Sequence, residues 1–109
     1  MADADLGDLG VVDNPGESRF EVRLGDDAAF VEYLTTDSAI AYIHTWVPEP
    51  LRERGIAARL ARYALDFARA EGLPVVPLCP YVAEYIRQHP EYEDLVAPRR
   101  LWRDFLRGR

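Results

Sequence analysis

Between Ser18 and Val47, apolar and polar side chains alternate in three runs separated by turn-forming residues, the pattern of strands buried on one face. In residues 18–24, SRFEVRL, Phe20, Val22 and Leu24 point one way and Arg19, Glu21 and Arg23 the other. Gly25, Asp26 and Asp27 then make a turn. Residues 28–36, AAFVEYLTT, read as a second strand, and residues 37–47, DSAIAYIHTWV, as a third after a turn near Asp37 and Ser38. Such short connections join antiparallel neighbours, so the three form a meander. Strict alternation puts Ile40, Tyr42, His44 and Trp46 on one face of the third strand and Ala41, Ile43, Thr45 and Val47 on the other. Pro48 and Pro50 stop it.

Past the prolines the period lengthens. Ile56, Leu60, Ala64, Phe67 and Ala68 line one side of a helix from about Ile56 to Glu71, and Arg59, Arg62, Asp66 and Arg69 line the opposite side. Gly72 stands just past its end and Pro74 beyond. VVPLC, residues 75–79, is short, apolar and β-branched at its start, a buried strand. Strand, helix and strand make a crossover that lays the fourth strand parallel to the third. A second helix runs from about Tyr81 to Gln88 and ends near Pro90. The predicted class is a mixed α/β (α+β) fold: a three-strand meander, a strand-helix-strand crossover and a further helix. Residues 91–96, EYEDLV, carry no clear period.

Composition narrows the setting. A chain of 109 residues allows one domain, and 49% hydrophobic residues suffice for a modest core. No run reaches the ~18 apolar residues of a membrane span, and the N-terminus lacks a secretory pattern, so a cytoplasmic protein without membrane contact is expected. The single cysteine, Cys79, rules out an internal disulfide framework and a cysteine-built zinc site, and no His and carboxylate cluster suggests a metal. A net charge of −6 argues against a nucleic-acid partner. Charge is uneven along the chain. Residues 1–15 hold four Asp and no basic residue and read as a flexible acidic leader; residues 16–97 form the domain; residues 98–109, with five Arg, read as a basic tail or short terminal helix.

Residues 51–60, LRERGIAARL, place two arginines and a glycine where the long helix starts, with no Ser, Thr, Asp or Asn to cap it. Free amides and the positive end of the helix dipole then form a site for phosphate, and Gly55 lets the main chain approach without a Cβ. The alternative is a solvated first turn with exposed arginines. Neither a Gly-Lys-Ser/Thr nucleotide loop nor Gly-x-Gly-x-x-Gly is present.

From His44 to Leu95 the chain resembles the small, single-domain branch of the GNAT superfamily of acetyl-CoA-dependent N-acetyltransferases. The superfamily pattern Arg/Gln-x-x-Gly-x-Gly/Ala is matched by Arg52, Gly55 and Ala57. His44-Thr45-Trp46-Val47-Pro48, Pro77-Leu78-Cys79-Pro80-Tyr81-Val82 and the run from Tyr85 and Ile86 to His89, Pro90 and Tyr92 match the branch in order. The resemblance implies a minimal GNAT fold in which the third and fourth strands splay apart around the pantetheine of coenzyme A. It implies that the main chain of Glu53, Arg54, Gly55, Ile56, Ala57 and Ala58 holds the pyrophosphate, with Arg52 in the loop and Arg59 in reach. Trp46 and Val47 would flank the pantetheine, and Cys79, Tyr81 and Tyr85 would line the far wall. Trp46 stands where relatives commonly carry an acid, so no carboxylate base is expected there. The helices that larger members place between their first two strands are absent, so acceptor specificity is not inherited from them.

Acetyl transfer needs a neutral amine, a polarised thioester carbonyl and a proton for the leaving thiolate. A strand-edge amide can polarise the carbonyl. Imidazole titrates near neutrality, which makes His44 a candidate base, against the plainer role of orienting its strand. Cys79, at the strand end where the acetyl group should arrive, can accept it covalently if its thiol is activated; otherwise it is a small buried hydrophobe. Tyr85 and Tyr81, a helical turn apart, can protonate the thiolate or serve only as walls. His89 before Pro90 is expected to fix the helix end. The reading is an N-acetyltransferase acting on an amine of a small molecule or protein, as a monomer or weak dimer; the alternative is a coenzyme A binding or sensor module with little turnover.

Overall fold

A computed structural model of the chain describes residues 10–106. Five strands, β1 (Val12–Asn14), β2 (Arg19–Leu24), β3 (Asp27–Thr35), β4 (Ile40–Trp46) and β5 (Val75–Pro77), lie side by side in chain order. The first four pair antiparallel, and β5 runs parallel to β4. The crossover between them is α1 (Ile56–Glu71), entered through a 3₁₀ turn at Glu49–Arg54. Two further helices, α2 (Pro80–Gln88) and α3 (Arg99–Leu106), flank a second 3₁₀ turn at Pro90–Leu95. The mixed fold predicted from periodicity is therefore present, with one additional strand.

That strand, β1, falls within the stretch expected to be a leader, whose first nine residues lie outside the described residues. Val12–Asn14 has one apolar side chain and no alternation of its own; pairing with β2 makes it a strand. Tyr33 donates to Asp13 Oδ1 at 2.6 Å, and Asn14 Nδ2 donates to Glu21 at 2.9 Å, which ties the edge to its neighbours.

The core lies between one face of the sheet and α1. Phe20, Val22, Ala29, Val31, Ile40, Tyr42 and Val75 from the strands meet Ile56, Leu60, Ala64, Leu65 and Ala68 from the helix, all buried. Burying each large side chain favours folding by about 1.5–3 kcal/mol, which is what holds an intrinsically ordinary helix against the sheet. Tyr42 crosses this layer and donates its hydroxyl to the Ala64 carbonyl at 2.6 Å, so its polar end is satisfied where no water reaches. Gly72, with φ +68°, closes α1 in the left-handed conformation; its amide bonds Ala68 and Arg69 carbonyls, and the Leu73 amide also reaches Ala68. On the opposite face, Ala39, Ala41, Val76 and Ala97 form a patch of small residues capped by Phe105 of α3. The stretch without a clear period packs through Tyr92, which is buried and donates to Asp66 of α1 at 2.8 Å.

Two expectations about facing change. Glu21, placed by alternation on the polar side, is only 2% exposed. Arg19, Arg23 and Asn14 close over it on the sheet face opposite the core. The expected shared face of Ile40, Tyr42, His44 and Trp46 is also broken. Glu32 pairs with His44 but Tyr33 pairs with Tyr42, so Ile43 is an extra residue opposite none. This bulge shifts the alternation, and His44 and Trp46 turn to the outer face while Thr45 joins the side of Val31.

Candidate functional site

The site begins where the 3₁₀ turn meets α1. Leu51, 3% exposed, anchors that turn, and Gly55 at φ +71° and ψ 20° ends it and starts the helix. Among the described side chains none caps the helix start, and its first turn has no acidic residue, although the Arg59 amide already bonds the Gly55 carbonyl at 3.1 Å. The first amides of α1 therefore lack a side-chain acceptor. Ile56 is fully buried, so anything it offers a ligand comes from its main chain. Ala57 and Ala58 are half-buried and small enough to leave that main chain approachable. Beside this end is a hollow of about 170 Å³ lined by Gly55, Ala58, Arg59, Arg62 and Tyr85. Arg59 Nε is buried with no hydrogen-bond partner among the described residues. Such a donor costs about 1–3 kcal/mol unless something accepts from it.

Arg52 is arranged differently from Arg59. Its Nε donates to the Val47 carbonyl at 2.9 Å and its guanidinium lies 5.8 Å from the Trp46 ring, so it braces the strand end. Trp46 is 44% exposed and Val47 half-buried. Only main-chain placement is described for Glu53 and Arg54, in the last turn before Gly55.

The second part of the site lies between β4 and β5. Their pairing covers Ile40–Tyr42 and Val75–Pro77, and its last contact is the Cys79 amide to the Tyr42 carbonyl at 2.8 Å. The chain then turns into α2, leaving Ile43–Trp46 without a strand on that side among the described residues. Cys79 is 3% exposed and precedes the first residue of α2, and its Sγ lies 3.3 Å from Thr45 Oγ1. Thr45 is a neighbour of Cys79 that sequence reading missed: alternation and the His44–Pro48 motif placed it, but a strand threonine carries no chemical flag. His44, by contrast, is exposed on the outer face, edge-on to Phe30 at 6.3 Å, and points away from Cys79.

Tyr85 joins the hollow from α2. Its ring stacks on His89 at 3.9 Å, and the Tyr85 carbonyl accepts from His89 Nδ1 at 2.8 Å, which fixes both the tautomer and the end of α2. Burial raises the Tyr85 phenol above its usual range, with Arg62 pulling the other way. Burial also raises Tyr81, helped by nearby Tyr85 and Cys79, though Tyr81 remains 39% exposed. Both phenols hold their protons at neutral pH. Arg62, read from the sequence as lying with Arg59 on the side of the helix opposite its apolar one, is exposed and borders the hollow one turn beyond Arg59. No group of three metal-ligating side chains converges among the described residues, and no helix there is long and apolar enough to cross a membrane.

The structure thus brings Gly55, Ala58, Arg59 and Tyr85 to one hollow and Cys79 to the unpaired edge of β4, while His44 stands apart. A family model described as GCN5-related N-acetyl-transferase matches residues 19–95. Protein NATD1 of Mus musculus is 39% identical over 75 residues, covering 66% of this chain and 68% of that protein. Its counterpart in Xenopus tropicalis is 35% identical over 75 residues, 66% of this chain and 69% of that one. The one in Danio rerio is 33% identical over 79 residues, 68% and 72% respectively. Matched across most of its sheet and through both halves of the site, the chain belongs to the GCN5-related N-acetyltransferase family.

Proposed function

We propose that the chain binds acetyl-CoA at the start of α1 and transfers the acetyl group to an amine. The observation that carries this reading is the helix start: among the described residues it has no side-chain cap, no carboxylate in its first turn, and a buried Arg59 Nε without a partner beside it. A diphosphate satisfies these donors together, in the field of the helix dipole. The donor set fits the group. Main-chain amides of residues 53–58 with Arg59 and Arg62 would hold the phosphates. Trp46 and Val47 on one side and Cys79, Tyr81 and Tyr85 on the other would hold the pantetheine along the unpaired edge of β4.

Bound acetyl-CoA supplies a thioester, and the chain positions it, excludes water and moves protons. Cys79 is the nucleophile this arrangement offers, with Thr45 Oγ1 in hydrogen-bond reach of its sulfur. Its Sγ would bond the acetyl carbon as the thioester C–S bond breaks, the thiol proton going to the leaving sulfur. The amine would then take the acetyl group from Sγ and return a proton to it. Tyr81, protonated close to Cys79, and Tyr85, protonated at the hollow, are the two relays the chain offers to the leaving sulfur. His44 has no proton transfer with Cys79 in this scheme.

One observation favours a second reading, a coenzyme A binding module with little turnover: the imidazole best suited to act as a base faces away from the thiol. Titration calorimetry with acetyl-CoA tests the shared part. Saturable binding is expected, weakened about tenfold to a hundredfold by Arg59→Ala, the loss of charge-assisted hydrogen bonds; no binding at millimolar ligand refutes both readings. Acetyl transfer over an amine panel separates them. Activity lost in Cys79→Ala with binding retained, and the mass of one acetyl group on Cys79, support the enzyme. Loss in His44→Ala alone refutes the cysteine route, and no turnover on any amine leaves the module.

A further inference from the structure

α3 has two apolar faces, and the sheet uses one. Phe105 is 3% exposed over Ala39, Ala41, Val76 and Ala97, with Leu101 and Trp102 packed at its margin. The other face holds a hollow of about 350 Å³ lined by Arg99, Trp102, Arg103 and Leu106, successive positions along one side of the helix. Leu106 is 55% exposed. The hollow is shallow and open, and its floor is held in place because the Trp102 indole donates to the Ala97 carbonyl at 2.9 Å and Arg99 lies 4.3 Å over its ring.

The charge around it runs against the rest of the molecule. Arg99, Arg100 and Arg103 are exposed and form no salt bridge among the described residues, on a chain of net charge −6. Arginines two side chains apart across an apolar floor match an apolar residue flanked by carboxylates, each taken by a forked guanidinium. A long polyanion would meet the acidic body as well, whereas a short segment need touch only this helix.

From the unused face of α3 we infer a docking site for a short acidic, amphipathic segment of a partner protein, with an apolar side chain in the hollow and carboxylates on Arg99 and Arg103. This site is separate from the cofactor loop, and its test does not depend on acetyl-CoA binding.

The probe is a short fluorescein-labelled peptide in which Leu and Phe are flanked by Asp and Glu, titrated with the full chain by anisotropy. Saturable binding is expected, falling as salt rises and about tenfold or more weaker in an R99E/R103E variant. Arg99→Gln with Arg103→Gln, checked for fold by circular dichroism, is expected to give a smaller loss, and Leu106→Ser a loss insensitive to salt. The inference fails if the peptide does not bind or if the arginine variants bind it unchanged. Equal binding of an Asn and Gln analogue of the peptide also overturns it. Equal or tighter binding of oligo(dT) or of phosphatidylserine vesicles overturns it in favour of a general polyanion surface. Binding that appears only after removal of residues 1–9 overturns it in favour of the chain's own acidic segment.

Discussion

Glu21 shows how one strand residue can be read correctly for direction and wrongly for environment. Burial opposes its ionisation, yet donors from Arg19 and Asn14 and the charges of Arg19 and Arg23 together hold its carboxyl below the usual 4.5. A depressed acid stabilises the fold above its unfolded value and loses that contribution as pH falls through the folded one. Glu21→Gln is therefore expected to lower stability at pH 7 by about 1–3 kcal/mol, a typical cost for charge-assisted bonds. In urea melts the gap between the two proteins should narrow below pH 4.5. A gap that stays constant from pH 7 to 3 would show that the carboxylate's charge contributes nothing. Gly55 supplies a second residue-scale test. A Cβ there meets nothing within 4 Å, but φ is +71°, so Gly55→Ala is strained by conformation alone. The expected penalty is about 1–2 kcal/mol, read as a lower melting temperature.

Elements differ in how plainly their residues announce them. Phe20, Val22 and Leu24 alternate with charges, and Ile56, Leu60 and Ala64 recur at helical spacing, so β2 and α1 stand where periodicity puts them. β1 has no such pattern because its strand character comes from its partner. The Pro90–Leu95 turn is placed by the buried Tyr92 ring and by Arg69 of α1, which bonds Asp94 and the Glu91 carbonyl, contacts that no period marks. The helix start was legible because the absence of a cap is visible in the letters; that Arg62 borders the hollow beside it and that Thr45 meets Cys79 were not. Which side of a helix borders a hollow, and which strand residue meets a thiol from the next strand, depends on tertiary placement. Tyr92 also carries a prediction for its element. Burial and Asp66 push its phenol up to about 12, so spectrophotometric titration should find it still protonated well above the ordinary tyrosine range, and Asp66→Ala should return it toward that range.

At the scale of the molecule, the two sheet faces are closed by different means. α1 covers one face with a continuous core, and α3 covers part of the other with Phe105 on small residues and Leu101 and Trp102 at the margin. Phe105→Ala should accordingly cost about 3–5 kcal/mol. For a domain of this size that lowers the melting temperature by more than about 10 °C. An unchanged melt would mean α3 adds nothing to the body it covers.

Ile43 has one implication for how the strand count relates to the opening beside it. The odd residue sits where β4 parts from β5, and such an insertion bends the strand that carries it. A chain shortened by deletion of Ile43 keeps Tyr42 inward, His44 outward and Thr45 inward, yet has no reason to curve away. Its β4 should lie flat, zip further along β5 and melt no lower than the parent, and the acetyl-CoA binding proposed for this gap should be lost in titration calorimetry. Here a more regular sheet would be the poorer receptor.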